Sequence, residues 1–202
     1  MAGPAEKLYT REEYLAFERA SETKHEFLNG RIYAMAGAGL AHNRICTNLT
    51  RELSNQLKGK PCQVLSQDMR VKVPKTGLYT YPDLLVVCGK PALEDDEMDT
   101  LLNPSVIFEV LSPSTERYDR GEKFINFQSI ESLTDYILIS QDRSRVEQFT
   151  RGEGGHWIVS RTEPPASLVE LPSIGCTLDI EEVYDGVEFG PTRLRDVTKE
   201  AR

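Results

Sequence analysis

No stretch of the 202-residue sequence approaches the ~20 consecutive apolar residues that a bilayer-spanning helix needs, so no membrane partner is expected. The opening Met1-Ala2-Gly3-Pro4-Ala5-Glu6-Lys7 lacks the apolar core of a secretory signal, and the expectation is a cytoplasmic protein. Cysteine is sparse. Cys46, Cys62, Cys88 and Cys176 form no CxxC pair, which excludes zinc-knuckle and thioredoxin-like frameworks and leaves four buried free thiols as the expectation. Positive charge is short as well: 24 Lys+Arg against 32 Asp+Glu give a formal net charge of −8, which counts against indiscriminate wrapping of nucleic acid. There is no GxSxG elbow and no histidine signal beside a cysteine, so a covalent nucleophile lacks its partners. No repeat, linker or reader motif such as a helix-turn-helix interrupts the chain.

What remains is the composition of an ordinary globular protein, 39% hydrophobic and 28% charged. One domain over residues 1–202 is expected, burying roughly 70% of the unfolded chain's surface. Thr10-Arg11-Glu12-Glu13 has the spacing of a capping box and predicts a helix over about 11–20. Asn29-Gly30 between two apolar runs predicts a tight hairpin in which Leu28 faces Arg31 and Glu26 faces Tyr33. Residues 40–58 read as an amphipathic helix. Ile45, Leu49, Leu53 and Leu57 line one side, Arg44, Asn48, Arg51, Asn55 and Lys58 the other, and His42 projects with the leucines.

A strand pair over 63–66 and 69–73 follows, then a turn-like break over 74–80. Tyr81-Pro82-Asp83-Leu84-Leu85-Val86-Val87-Cys88 and Val106-Ile107-Phe108-Glu109-Val110-Leu111 are nearly continuous apolar runs, as in strands covered on both faces. Glu94–Asp99 reads as a solvated acidic loop, and a second helix is expected over about 119–130 with Asp119 as its N-cap. Short strands at 135–140, 145–151 and 156–162 suggest an antiparallel meander, with the tail from Pro164 wrapping the core. The fold class is therefore mixed α/β: a central mixed sheet flanked by helices, with an N-terminal hairpin and C-terminal antiparallel strands.

Asp83 and Glu109 carry the chemistry. Each is a carboxylate inside an apolar run, so it either lies at a strand end in reach of solvent or needs a cation or a set of donors. Lys123 shares a helical stripe with Phe127 and Ile130, the side that packs inward. It either snorkels or is drawn in by anions. Two acids and a lysine are what metal-assisted phosphodiester cleavage requires. Turn polarity accounts for Gln67 and Asp68, and His25 and His156 read as structural.

These pieces resemble a known family. Glu26-Phe27-Leu28-Asn29-Gly30-Arg31-Ile32, His42, Tyr81-Pro82-Asp83, Phe108-Glu109-Val110-Leu111-Ser112-Pro113-Ser114-Thr115, Asp119 and Lys123 are similar to the Uma-type restriction endonucleases of the PD-(D/E)XK nuclease superfamily. The likeness covers about residues 8–185. It implies a restriction-endonuclease-like core, with Asp83 and Glu109 as ligands of Mg²⁺ or its substitute Mn²⁺ and Lys123 as the catalytic cation. Glu26 and His42 become accessory catalytic groups, double-stranded DNA the substrate and a homodimer the assembly. One departure stands out: where the pattern has lysine two residues after the glutamate, this chain has Leu111. An inactive binding module on the same fold, and a hydrolase of small phosphodiesters or nucleotides, are the alternatives.

Overall fold

The computed structural model describes residues 7–190. Its first helix, α1 (Arg11–Ala20), opens with the expected capping box: Glu13 N–H donates to Thr10 Oγ1 at 3.1 Å, and Thr10 N–H to Glu13 Oε2 at 2.8 Å. Strands β1 (His25–Leu28) and β2 (Arg31–Ala34) follow, joined by Asn29 and Gly30 at φ of 52° and 79°. Those positive angles make the two-residue turn and fix the register, Leu28 opposite Arg31 and Glu26 opposite Tyr33. Helix α2 (Leu40–Leu57) buries Ile45, Leu49, Leu53 and Leu57, and His42 with them. Asn48 departs from its predicted solvated stripe. It is buried because its amide donates to the carbonyls of Val183 and Asp185 at 3.1 and 3.0 Å, tying α2 to the tail.

Strands β3 (Cys62–Ser66), β4 (Arg70–Val73), β5 (Leu78–Thr80), β6 (Leu84–Cys88), β7 (Thr100–Leu101) and β8 (Val106–Leu111) come next. A helical stretch of α3 (Glu116–Tyr118), a π-type turn (Asp119–Lys123) and α4 (Phe124–Phe127) then leads to β9 (Asp135–Ser140), β10 (Val146–Arg151) and β11 (Trp157–Thr162). The last elements are β12 (Leu168–Leu171), β13 (Cys176–Asp179) and α5 (Ile180–Val183). A six-stranded sheet in the order β11-β10-β9-β8-β6-β3 is antiparallel except for β8–β9. A five-stranded sheet runs β2-β1-β5-β4-β7, and β12-β13 form a ribbon.

Both faces of the six-stranded sheet are covered, as its continuous apolar runs require. Leu84, Val86, Phe108 and Val110 pack against α2, the β12-β13 ribbon and α5. The alternate residues Leu85, Val87, Ile107 and Leu111 pack against Val71, Val73 and Leu78 of the five-stranded sheet and Phe124 and Phe127 of α4. The smaller sheet has its own apolar side, where Tyr14 stacks on Phe27 beside Tyr79.

Several sequence expectations are corrected here. Strands β3 and β4 do not pair with each other; the chain changes layer at Gln67-Asp68, so β3 pairs with β6 and β4 with β5. The presumed break at 74–80 contains β5, which returns on β4 through a turn at Gly77, where φ is 77°. The second helical stretch starts at Glu116 rather than at Asp119, because Ser112 accepts the amides of Thr115 and Glu116 and begins the coil early. The acidic loop is a clamp rather than a solvated run: Asp95 and Asp99 bind Arg19 at 2.8 Å each, Asp99 binds buried Arg70 at 2.7 Å, and Glu94 meets Lys72 and Tyr79. Cys62 and Cys88 form a disulfide, being directly opposed on β3 and β6 with Cα atoms 4.0 Å apart; Cys46 and Cys176 are the buried free thiols.

Candidate functional site

Pro82 has no amide hydrogen to give a ladder, and at Tyr81-Pro82-Asp83 the chain leaves the five-stranded sheet for the six-stranded one. Leu84 pairs with Phe108, so the register continued by one residue sets Asp83 opposite Glu109. The amide of Val110, next after Glu109, donates to Asp83 Oδ2 at 2.8 Å. His42, reaching from the first turn of α2, places Nε2 3.1 Å from the same oxygen. Among the described residues both hydrogen bonds to Asp83 fall on Oδ2, leaving Oδ1 without one.

Glu109 lies between Ile107 and Leu111 on the strand, so alternation turns it toward the five-stranded sheet and the helical stretch. There it meets Lys123, whose Nζ is 2.8 Å from Glu109 Oε1, 3.5 Å from Glu26 Oε1 and 3.6 Å from Asp119 Oδ1. The π-type turn holds Asp119 and Lys123 on one side, both buried; such turns recur at functional sites. Glu26 comes from β1 and accepts a short hydrogen bond from Thr80 of β5. The five predicted site residues thus fall in two groups, Glu26, Glu109 and Lys123 in one and His42 and Asp83 in the other, linked by the backbone amide of Val110 on Asp83. Asp119, expected as a cap, belongs to the first.

Burial pushes the Glu109 carboxyl well above its ordinary range, with Lys123 opposing and the charges of Asp119 and Asp83 adding to it. Asp119 is raised for the same first reason. Burial opposes the charged Lys123 ammonium, but Glu109, Glu26 and Asp119 outweigh it, and the amine is held charged well above its usual range. Acidic groups outnumber the cation: the carboxyls of Glu26, Glu109 and Asp119 stand within 3.6 Å of the one ammonium, and the charge of Asp83 acts on Glu109 from its other side. Glu109 Oε1 is buried and, although near Lys123, has no aligned hydrogen bond. A surplus of buried carboxylate oxygen with an unsatisfied acceptor suits a hard divalent cation.

Thr80 escaped the sequence reading because it falls where a break was expected. Cys46 escaped it too. Its Sγ lies 3.6 Å from His42 Nδ1, and the only trace in sequence is its position four residues after His42 on α2. Its thiol is pushed up to about 12 by burial, with the Asp83 charge next. A cleft of about 460 Å³ opens beside Cys46 and Asp83, walled by α2 and by Ser66, Gln67 and Asp68.

Comparison with known proteins gives a consistent picture. Residues 11–181 match the model of the Uma2 family, described as "Putative restriction endonuclease". Two uncharacterized proteins of Synechocystis sp. are each 34% identical to this chain. One aligns over 178 residues, 88% of this chain and 92% of the relative; the other over 154 residues, 76% and 87%. A crystal structure from Anabaena variabilis, described as that of a "putative nuclease", shares the fold with a TM-score of 0.72 at 17% identity, covering 88% of this chain and 98% of that one.

Proposed function

Because the chain belongs to the Uma2 family, we propose that it is an endonuclease hydrolysing DNA phosphodiester bonds with Mg²⁺, or Mn²⁺ in its place, held by Asp83 and Glu109. The observation that carries the reading is the buried, unsatisfied Glu109 Oε1 beside Lys123, on the strand position facing Asp83. When bound, such a cation lowers the pKa of a coordinated water and offsets charge growing on the phosphate. Lys123, kept charged by its three acids, donates to a non-bridging phosphate oxygen or orients the attacking water. Glu26 holds the lysine from the hairpin side, and His42 fixes the rotamer of Asp83 through Oδ2. Cleaving both strands of a duplex calls for two such sites, which a homodimer supplies.

The lysine that the superfamily pattern puts two residues after the glutamate is replaced in function by Lys123. Leu111 is buried in the apolar layer with Phe124 and Leu138, and the amine arrives from the neighbouring helical stretch instead. Plasmid nicking in Mg²⁺ and in Mn²⁺ tests the reading. Asp83→Asn, Glu109→Gln and Lys123→Met each lower the rate by about 10²–10³-fold or more. Nicking that persists in Asp83→Asn and Glu109→Gln would refute the assigned centre. Leu111 also favours a second reading, a binding module without turnover, and tight Mn²⁺ binding with no nicking on any duplex or single strand would select it.

A further inference from the structure

Beside the oxygen-rich centre lies a donor set of different character. His42 and Cys46 stand one turn apart on α2, both buried, and Asp83 faces them from the start of β6. Taking one ligand atom from each, the imidazole nitrogen, the sulfur and the carboxylate oxygen all lie within 4.8 Å of one another. His42 bridges the other two, with Nδ1 3.6 Å from Cys46 Sγ and Nε2 3.1 Å from Asp83 Oδ2; a bound ion takes one of the two ring nitrogens.

We propose that His42, Cys46 and Asp83 form a site for a thiophilic divalent cation, Zn²⁺ in the first instance, distinct from the Glu109–Lys123 centre and sharing Asp83 with it. Ligand chemistry separates the two. Thiolate and imidazole select zinc and its late first-row neighbours, whereas Mg²⁺ takes carboxylates and water. The three protein ligands leave a fourth position, and the cleft beside Cys46 and Asp83 gives it access to water. Loading releases the Cys46 proton to solvent, since the thiolate is the ligand. Asp83 joins the centres through its two oxygens. Its Oδ2 already meets His42, while Oδ1 has no hydrogen bond among the described residues.

Gln67 and Asp68 acquire a role in this arrangement as the far wall of the cleft. The buried thiol beside a histidine and an aspartate is also accounted for; packing alone would be met by any small apolar side chain at position 46. Asp83 is common to both centres, so occupancy of one governs the ligand geometry of the other.

The site is tested on the full chain without reductant, using metal alone. Stoichiometric Co²⁺ gives a near-ultraviolet thiolate-to-cobalt charge-transfer band that saturates at one equivalent and is displaced by Zn²⁺, the tighter ion in the divalent series. The band is lost in Cys46→Ser and His42→Ala and kept in Cys176→Ser and Glu109→Gln. The last variant separates this site from the centre of the proposed nuclease, whose failure leaves the band untouched. X-ray absorption of the Zn²⁺-loaded wild type needs no variant and shows one sulfur at about 2.3 Å with nitrogen and oxygen near 2.0–2.1 Å. A wild type with no band, a band that survives Cys46→Ser, or a zinc shell of nitrogen and oxygen only overturns the proposal.

Discussion

Replacing Lys123 by methionine keeps the volume and flexibility of the side chain and removes only its charge. Three carboxylates within 3.6 Å of the ammonium are then left without their counter-charge in a buried setting. Breaking one partner out of a buried ion pair costs about 3–5 kcal/mol. The loss is not fixed, because the folded variant recovers part of it by binding a proton, and Glu109 is already raised by burial. A carboxyl whose folded pKa lies above its unfolded value stabilises the fold at low pH and loses that contribution as pH rises through the folded value. The deficit of Lys123→Met is therefore largest near pH 8 and shrinks on acidification, by about 1.4 kcal/mol per pH unit for each proton taken up. Urea unfolding of wild type and variant at pH 8 and pH 6, followed by far-ultraviolet circular dichroism, reads both quantities. With about 2 kcal/mol per molar urea, the midpoint falls by about 2 M at pH 8 and by half that or less at pH 6. A variant as stable as the wild type at pH 8, or a deficit equal at both pH values, would refute the account of Lys123 as the counter-charge of this cluster.

Other outcomes follow from the same structure. Mn²⁺ affinity, measured by calorimetry, rises between pH 6 and pH 8 because the raised Glu109 carboxyl must lose its proton to bind; an affinity that falls with pH contradicts that. Asn48→Ala leaves the carbonyls of Val183 and Asp185 without their donor and costs about 1–3 kcal/mol. Its thermal midpoint drops by about 2–4 °C per kcal/mol, and an unchanged midpoint means the tail is held by packing alone. The Cys62–Cys88 disulfide closes a loop across a separation of 26 residues, and loop-closure entropy puts its contribution at about 3.5 kcal/mol. Urea midpoints with and without reductant check this, and coincident curves would exclude it.

The residues that could be read in advance are those whose neighbours in sequence are also their constraints. Asn29-Gly30 fixes a hairpin register within four residues, and with it the side on which Glu26 emerges. His42 follows from the period of its own helix. Asp83 and Glu109 stand out as charges inside apolar runs, and Lys123 as a cation on an inward stripe; the structure gathers them within one neighbourhood. What stayed hidden depends on partners far along the chain. The division of β3 and β4 between two sheets turns on which layer each strand covers. The disulfide needs the β3–β6 register, and Asn48 needs a tail 135 residues away. The acidic loop looked solvated because its cations, Arg19, Arg70 and Lys72, lie outside its own segment.

The passage of the chain from one sheet to the other at Pro82 has a mechanical side. Glu26 rides on the smaller sheet, Glu109 on the larger, and Asp83 is seated at the fork between them. The spacing of the acids is thus set by how the two sheets are wedged together, not by either alone. Lys123 holds Glu26 of the smaller sheet and Glu109 of the larger at once, so its two contacts depend on how the layers are set against each other. The apolar residues that lock this joint, Val71, Val73 and Leu78 against Leu85 and Val87, accordingly act as the adjusting screws of a centre they never touch.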